Sequence, residues 1–174
     1  MTTPIIKFYQ GEPNTNGRTL QEIWKWDRFN LEHIHNYIQW MFPIIEPSYF
    51  NRETPKLTQE DIDKFHEDNT LKTNLIRSLM TILEFWGLKI DLEENNEIIV
   101  CRSINFETNK ECWVEPKNHN HLRMTRVIHC LKILGLEKCA QAFYEAITDV
   151  AKEFPVINQV TLDYWRKASL PSTL

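Results

Sequence analysis

Along most of the chain apolar residues recur every three to four positions, the period of helices that bury one face. The longest such run is "TLKTNLIRSLMTILEFWG", where Leu71, Leu75, Leu79 and Ile82 or Leu83 form one stripe. It predicts a helix from Asn69 or Thr70 that stops at Gly87, a residue suited to the left-handed turn after a helix. In "HLRMTRVIHCLKILG", Met124, Val127, Ile128, Leu131 and Leu134 face inward, with Asn118 or Asn120 as cap and Gly135 as stop. Residues 136–154 repeat the pattern through Leu136, Ala140, Phe143, Tyr144 and Ile147, and Pro155 closes that helix.

Shorter elements fill the rest. Residues 1–18 read as an extended lead-in and loop. Thr19 caps a short helix through about Asp27, carrying Leu20, Ile23 and Trp24 inward. A helix from about Asn30 to Phe42 stops before Pro43, and Pro43, Pro47 and Pro55 mark an irregular connection. Thr58 opens another helix, where Asp61 completes a capping box. "LKIDLEENNEIIVCRS" has two β-prone runs around a polar turn and predicts a small hairpin. The last helix, "TLDYWRKAS", is capped by Thr161. The expected fold is all-α: a compact bundle of six to seven helices with at most one small β-hairpin, in one domain over residues 1–174.

Composition narrows the class. With 174 residues, 42% hydrophobic and 25% charged, the chain is long and apolar enough for a soluble folded core. Four glycines are too few for a turn-rich β fold or for Gly-rich phosphate loops. A net charge of −4 gives no general attraction to nucleic acid or anionic membrane. No run reaches the roughly 20 apolar residues of a membrane helix, so no transmembrane span is expected, and peripheral association stays open. The N-terminus lacks a basic and apolar leader. Cys101, Cys112, Cys130 and Cys139 then read as free thiols in a reducing, intracellular, cytoplasmic setting.

Candidate chemistry centres on "LEHIHNYIQWMFP", residues 31–43. On a helical wheel Leu31, Ile34, His35, Ile38, Met41 and Phe42 share a face, which sets His35 inside the apolar stripe and His33 and Trp40 opposite. The two histidines are therefore not a chelating pair. Glu32 and Gln39 align with His35 at helical spacing. A Glu-x-x-His pair is half of a di-iron carboxylate site, but no second copy exists, and Asp63–His66 is the nearest substitute. Cys101, Cys112, His119 and His121 have zinc-ligand types without the short Cys-x-x-Cys knuckle. His129 and Cys130 are helix neighbours that do not face one another. No nucleotide or nucleophile fingerprint occurs, so no catalytic residue, metal or cofactor is expected. Between Lys117 and Lys138 five basic residues stand against one acid, and Arg123 with Arg126 is spaced to grip a carboxylate or phosphate. The absence of interleaved aromatics argues against nucleic acid as the partner.

Four stretches together resemble the conserved domain of the opioid growth factor receptor family. They are "FYQG" (8–11), "LEHIHNYIQWMFP" with "PSYFN" (31–43 and 47–51), "SLMTILEFWGL" (78–88) and "NHNHLRMTRVIHCLKILGL" (118–136). Met41 stands where leucine is usual, and Trp86 where an aromatic such as tyrosine is usual. The resemblance implies a receptor for an enkephalin-type peptide, intracellular and perinuclear or nuclear, with no established catalytic residues. Vertebrate members carry a long C-terminal extension, so the expectation here is the bare domain. The positions that match the family motifs are His35, Tyr37, Gln39, Trp40, Asn120, Arg123 and Arg126. They read either as a small pocket for a peptide or small-molecule ligand between the two motif helices or as a buried structural network. An enzyme or metal protein centred on His35 and a protein–protein scaffold are the alternatives.

Overall fold

The computed structural model describes residues 1–48 and 52–171. The Tyr49–Asn51 part of the "PSYFN" motif lies outside the described residues. The all-α expectation holds, with one two-stranded hairpin. Ten α-helices occur among the described residues because the segment expected as one helix over 30–42 breaks in two and short helices form at Pro4–Tyr9 and Phe106–Asn109. The chain forms two compact units, residues 1–81 with 133–135, and residues 82–132 with 136–174.

The first unit opens with α1 (Pro4–Tyr9), where an extended lead-in was expected. The signal was present in "TP": the Thr3 side chain accepts from Ile6 N, and Pro4 occupies a first-turn position that needs no donor. A reciprocal capping box between Thr19 and Glu22 starts α2 (Leu20–Ile23). Asp27 caps α3 (Arg28–His33), and α4 (Ile38–Met41) follows after a four-residue linker. The expected Thr58–Asp61 capping box starts α5 (Gln59–Glu67). Helix α6 (Asn69–Phe85) gives this unit its residues through Thr81.

The core of this unit is aromatic. Phe8 packs edge-on to Trp40 with centroids 5.4 Å apart, and Tyr9 to Phe65 at 5.1 Å. The buried Tyr9 and Ser78 hydroxyls are matched. The Tyr9 hydroxyl donates its one proton to Met41 O, so Ser78, 3.2 Å away, supplies a proton to Tyr9 while accepting from Trp24 Nε1 at 2.9 Å.

The second unit contains the end of α6 and strands β1 (Leu88–Leu92) and β2 (Ile98–Arg102), antiparallel with Ile90 opposite Val100. After α7 (Phe106–Asn109) and a 3-10 turn at Lys110–Cys112 come α8 (His119–Ile133), α9 (Glu137–Glu153) and α10 (Gln159–Ser169). The predicted stripe of α8, Met124 through Leu134, is fully buried. Asn118 caps α8, its side chain accepting from Asn120 N at 2.8 Å. Helix α9 lies on β2 and α10 on α9. Asn158 caps α10, three residues before the expected Thr161, and accepts from Thr161 N. The extra turn follows from asparagine being the stronger cap.

Gly87 is the stop that α6 requires. Its φ is +80°, and an added Cβ would lie 2.7 Å from Phe106 Cα. Gly17 also has positive φ, at +73°, but open space around it. Gly17→Ala should therefore cost about 1 kcal/mol, from backbone strain alone. Gly87→Ala adds a backbone clash and should cost roughly 3 kcal/mol or more. Urea denaturation of the two variants measures the difference.

Candidate functional site

The motif residues are positioned differently from the wheel. The continuous helix expected over 30–42 is broken at Ile34, whose φ of −91° and ψ of 127° are extended. In a continuous helix Leu31 O would accept from His35 N. Here it accepts from the Tyr37 hydroxyl at 2.7 Å. Arg18 Nη1 holds Asn36 Oδ1 at 2.9 Å, and Asn36 Nδ2 donates to Asn16 Oδ1 at 3.2 Å. The Gln39 carboxamide, with its nitrogen toward the linker, donates to His35 O (3.0 Å) and Asn36 O (3.2 Å). Side-chain bonds of this kind compete with the helix ladder and prevail over residues 34–37.

As a result His35 is exposed rather than set in an apolar stripe. Tyr37 is wholly buried, its ring edge-on to Trp26 at 5.4 Å, while Arg18 lies 5.2 Å from the Trp26 ring. Trp40, opposite His35 on the wheel, is buried against Phe8. Gln39 and Glu32 are half-buried, and His33 is exposed with its ring stacked on Phe29.

Asn120, Arg123 and Arg126 belong to the second unit. Asn120 has no solvent exposure. Its Oδ1 accepts from Trp86 Nε1 and from Arg123 Nη1, each at 3.2 Å, and its Nδ2 donates to Cys112 O at 2.9 Å. Arg123 is 6% exposed and Arg126 half-buried. The network continues through main-chain carbonyls. Trp113 Nε1 donates to Trp86 O (2.9 Å), His121 Nε2 to Trp113 O (2.6 Å), and Trp165 Nε1 to His121 O (3.1 Å). Because a carbonyl only accepts, His121 carries its proton on Nε2.

Of the motif positions, the structure joins Asn120 directly to Arg123 and sets Gln39 against the His35 carbonyl. Tyr37, Trp40 and Asn120 have their groups committed to packing and hydrogen bonds that hold the backbone. Among the described residues no group of three or more His, Cys, Asp or Glu side chains converges to hold a metal ion. Of the zinc-ligand types noted above, His121 is turned to Trp113 O, and the Cys112 thiol lies 3.8 Å from Phe85 O. Burial pushes the Cys130 thiol far above its usual range, which keeps it protonated and unreactive beside His129.

A cleft of about 300 Å³ lies between α9 and α10, reached by none of the motif residues. Tyr144, Thr148, Lys152, Leu162, Asp163 and Arg166 line it. The sequence reading placed Tyr144 inward but gave no sign of a cleft, because helical periodicity describes one helix and not the gap it leaves beside another.

Compared with known proteins, the chain matches the model of the opioid growth factor receptor (OGFr) conserved region over residues 3–171. It is 33% identical over 168 residues to the opioid growth factor receptor of Mus musculus, covering 92% of this chain and 26% of that protein. The receptor of Homo sapiens is 32% identical over 171 residues, covering 94% of this chain and 25% of that protein. Opioid growth factor receptor-like protein 1 of Rattus norvegicus is 29% identical over 168 residues, covering 92% of this chain and 35% of that protein. The chain thus spans about a quarter to a third of the length of these relatives. No solved structure matches it.

His121 makes the network sensitive to acid. Burial holds its pKa below the usual histidine value, outweighing the upward pull of the Trp113 carbonyl and the Glu115 carboxylate. Above the unfolded value of about 6.5 both states carry neutral imidazole, and the group adds no pH dependence. Below it the unfolded chain takes up a proton that the fold resists, so stability falls with pH until the folded pKa is reached. Urea denaturation between pH about 7 and about 5 should show a smaller loss in His121→Gln than in the native chain.

Proposed function

This chain belongs to the opioid growth factor receptor family, and from that premise we propose that it is a receptor-type helical recognition domain. It binds a short peptide or small ligand at the Ile34–Tyr37 linker, with His35 as the contact residue. The observation that carries this reading is an exposed imidazole on an irregular segment whose neighbours are tied down. Asn36 is held by Arg18, Tyr37 by Leu31 O, and the backbone carbonyls by Gln39. An irregular, exposed segment on a rigid scaffold is where recognition residues concentrate, and prior ordering lowers the entropy cost of binding.

The relatives' names specify a receptor for an opioid growth factor, which favours a peptide as the ligand. The four cysteines are free, which supports a reducing, intracellular setting. No helix among the described residues is long and apolar enough to cross a membrane.

Titration of the full chain with an enkephalin-type peptide tests the reading. Saturable binding is expected, weakened roughly tenfold in His35→Ala with an unchanged unfolding midpoint, the cost of one charge-assisted or aromatic contact. Non-saturable binding, or an unchanged affinity in His35→Ala, would overturn it.

A further inference from the structure

We infer that the cleft between α9 and α10 is a second binding site, built for a carboxylate carried on a small apolar group. None of its lining residues belongs to the motifs, and the inference stands whether or not the His35 linker binds a peptide. At about 300 Å³ the cleft sits at the small end of ligand-pocket volumes, enough for one aromatic or branched side chain with its acid. Leu162, Ala151 and the half-buried ring of Tyr144 give it apolar walls.

Its two cations are at most weakly held. Thr148 stands in the cleft wall, with a hydroxyl that is buried and has no hydrogen-bond partner among the described residues. No side-chain hydrogen bond or ion pair engages the Arg166 guanidinium among the described residues. Among the described residues Lys152 pairs only with Asp149, 3.7 Å away and largely exposed, an interaction too weak to hold the ammonium back. Two cations beside one apolar slot match a carboxylate, with the planar Arg166 fork able to take both oxygens. Asp163, accepting from Gln159 Nε2 at 3.0 Å, places one negative charge in the same wall. That charge selects a monoanion over a phosphate dianion. The apolar acid is either a free small molecule or the C-terminal residue of a peptide.

NMR titrations of the full chain with 3-phenylpropionate, its amide, N-acetyl-glycyl-phenylalanine and inorganic phosphate test this. Saturable shifts at Tyr144, Thr148, Leu162 and Arg166 are expected with both acids, with the amide weaker by roughly tenfold. Tighter binding of the acetyl dipeptide assigns the site to peptide C-termini, and tighter binding of 3-phenylpropionate to free acids. Arg166→Gln should lose roughly tenfold in affinity, and Arg166→Lys less, since the charge remains but the fork is gone. Absence of saturable shifts with either acid, equal binding of acid and amide, or phosphate binding as well as the acids would each overturn the inference. A peptide that binds with shifts confined to Ile34–Tyr37 would leave the His35 reading standing while removing this one.

Discussion

The carboxamide of Asn120 is sealed from solvent inside a unit where three tryptophan indoles also need acceptors. An unpaired buried polar group costs about 1–3 kcal/mol, so each of these groups dictates where its partner must be. Asn120 takes the Trp86 indole and returns a donor to Cys112 O. From there the pattern is a relay: Trp113 donates to Trp86 O, His121 to Trp113 O, and Trp165 to His121 O. Each residue uses its side chain on the preceding carbonyl and offers its own carbonyl to the next. The end of α6 gains from the same arrangement, because Asn109 caps Glu84 O and Trp113 caps Trp86 O, carbonyls that a helix terminus leaves open. Helix α10, the last described element, enters the relay through Trp165.

This constraint separates what holds the fold from what is available for recognition. Asn120 and Arg123 sit inside the relay, and their substitution removes partners from buried groups before it affects any ligand. Tyr37 and Trp40 do the equivalent work in the first unit, one by holding a carbonyl and the other by filling the aromatic core. His35 is different in kind, exposed on a linker whose shape its neighbours determine. The α9–α10 cleft is different again, since Lys152 and Arg166 line it beside apolar walls and outside the relay.

Much of the fold is legible in the sequence where one local rule decides. Thr58 with Asp61, the stripe from Leu71 to Leu83, Gly87 as a stop and the hairpin around "EENN" all occur as expected. The reading fails where distant side chains compete with the helix ladder. Leu31, Ile34, Ile38 and Met41 keep helical spacing, yet Arg18, far back in the chain, holds Asn36, and Tyr37 takes the Leu31 carbonyl. That single break moved His35 from the core to the surface. The cleft was illegible for another reason: it arises from how α10 seats on α9, and no spacing along either helix encodes the gap.

Native-state hydrogen exchange of the indole N–H groups tests the relay most directly. The account predicts that Trp86, Trp113 and Trp165 exchange with one shared opening free energy, and that Asn120→Ala lowers the protection of all three together. Fast exchange at any of the three in the native chain, or a loss confined to Trp86 in Asn120→Ala, would contradict it.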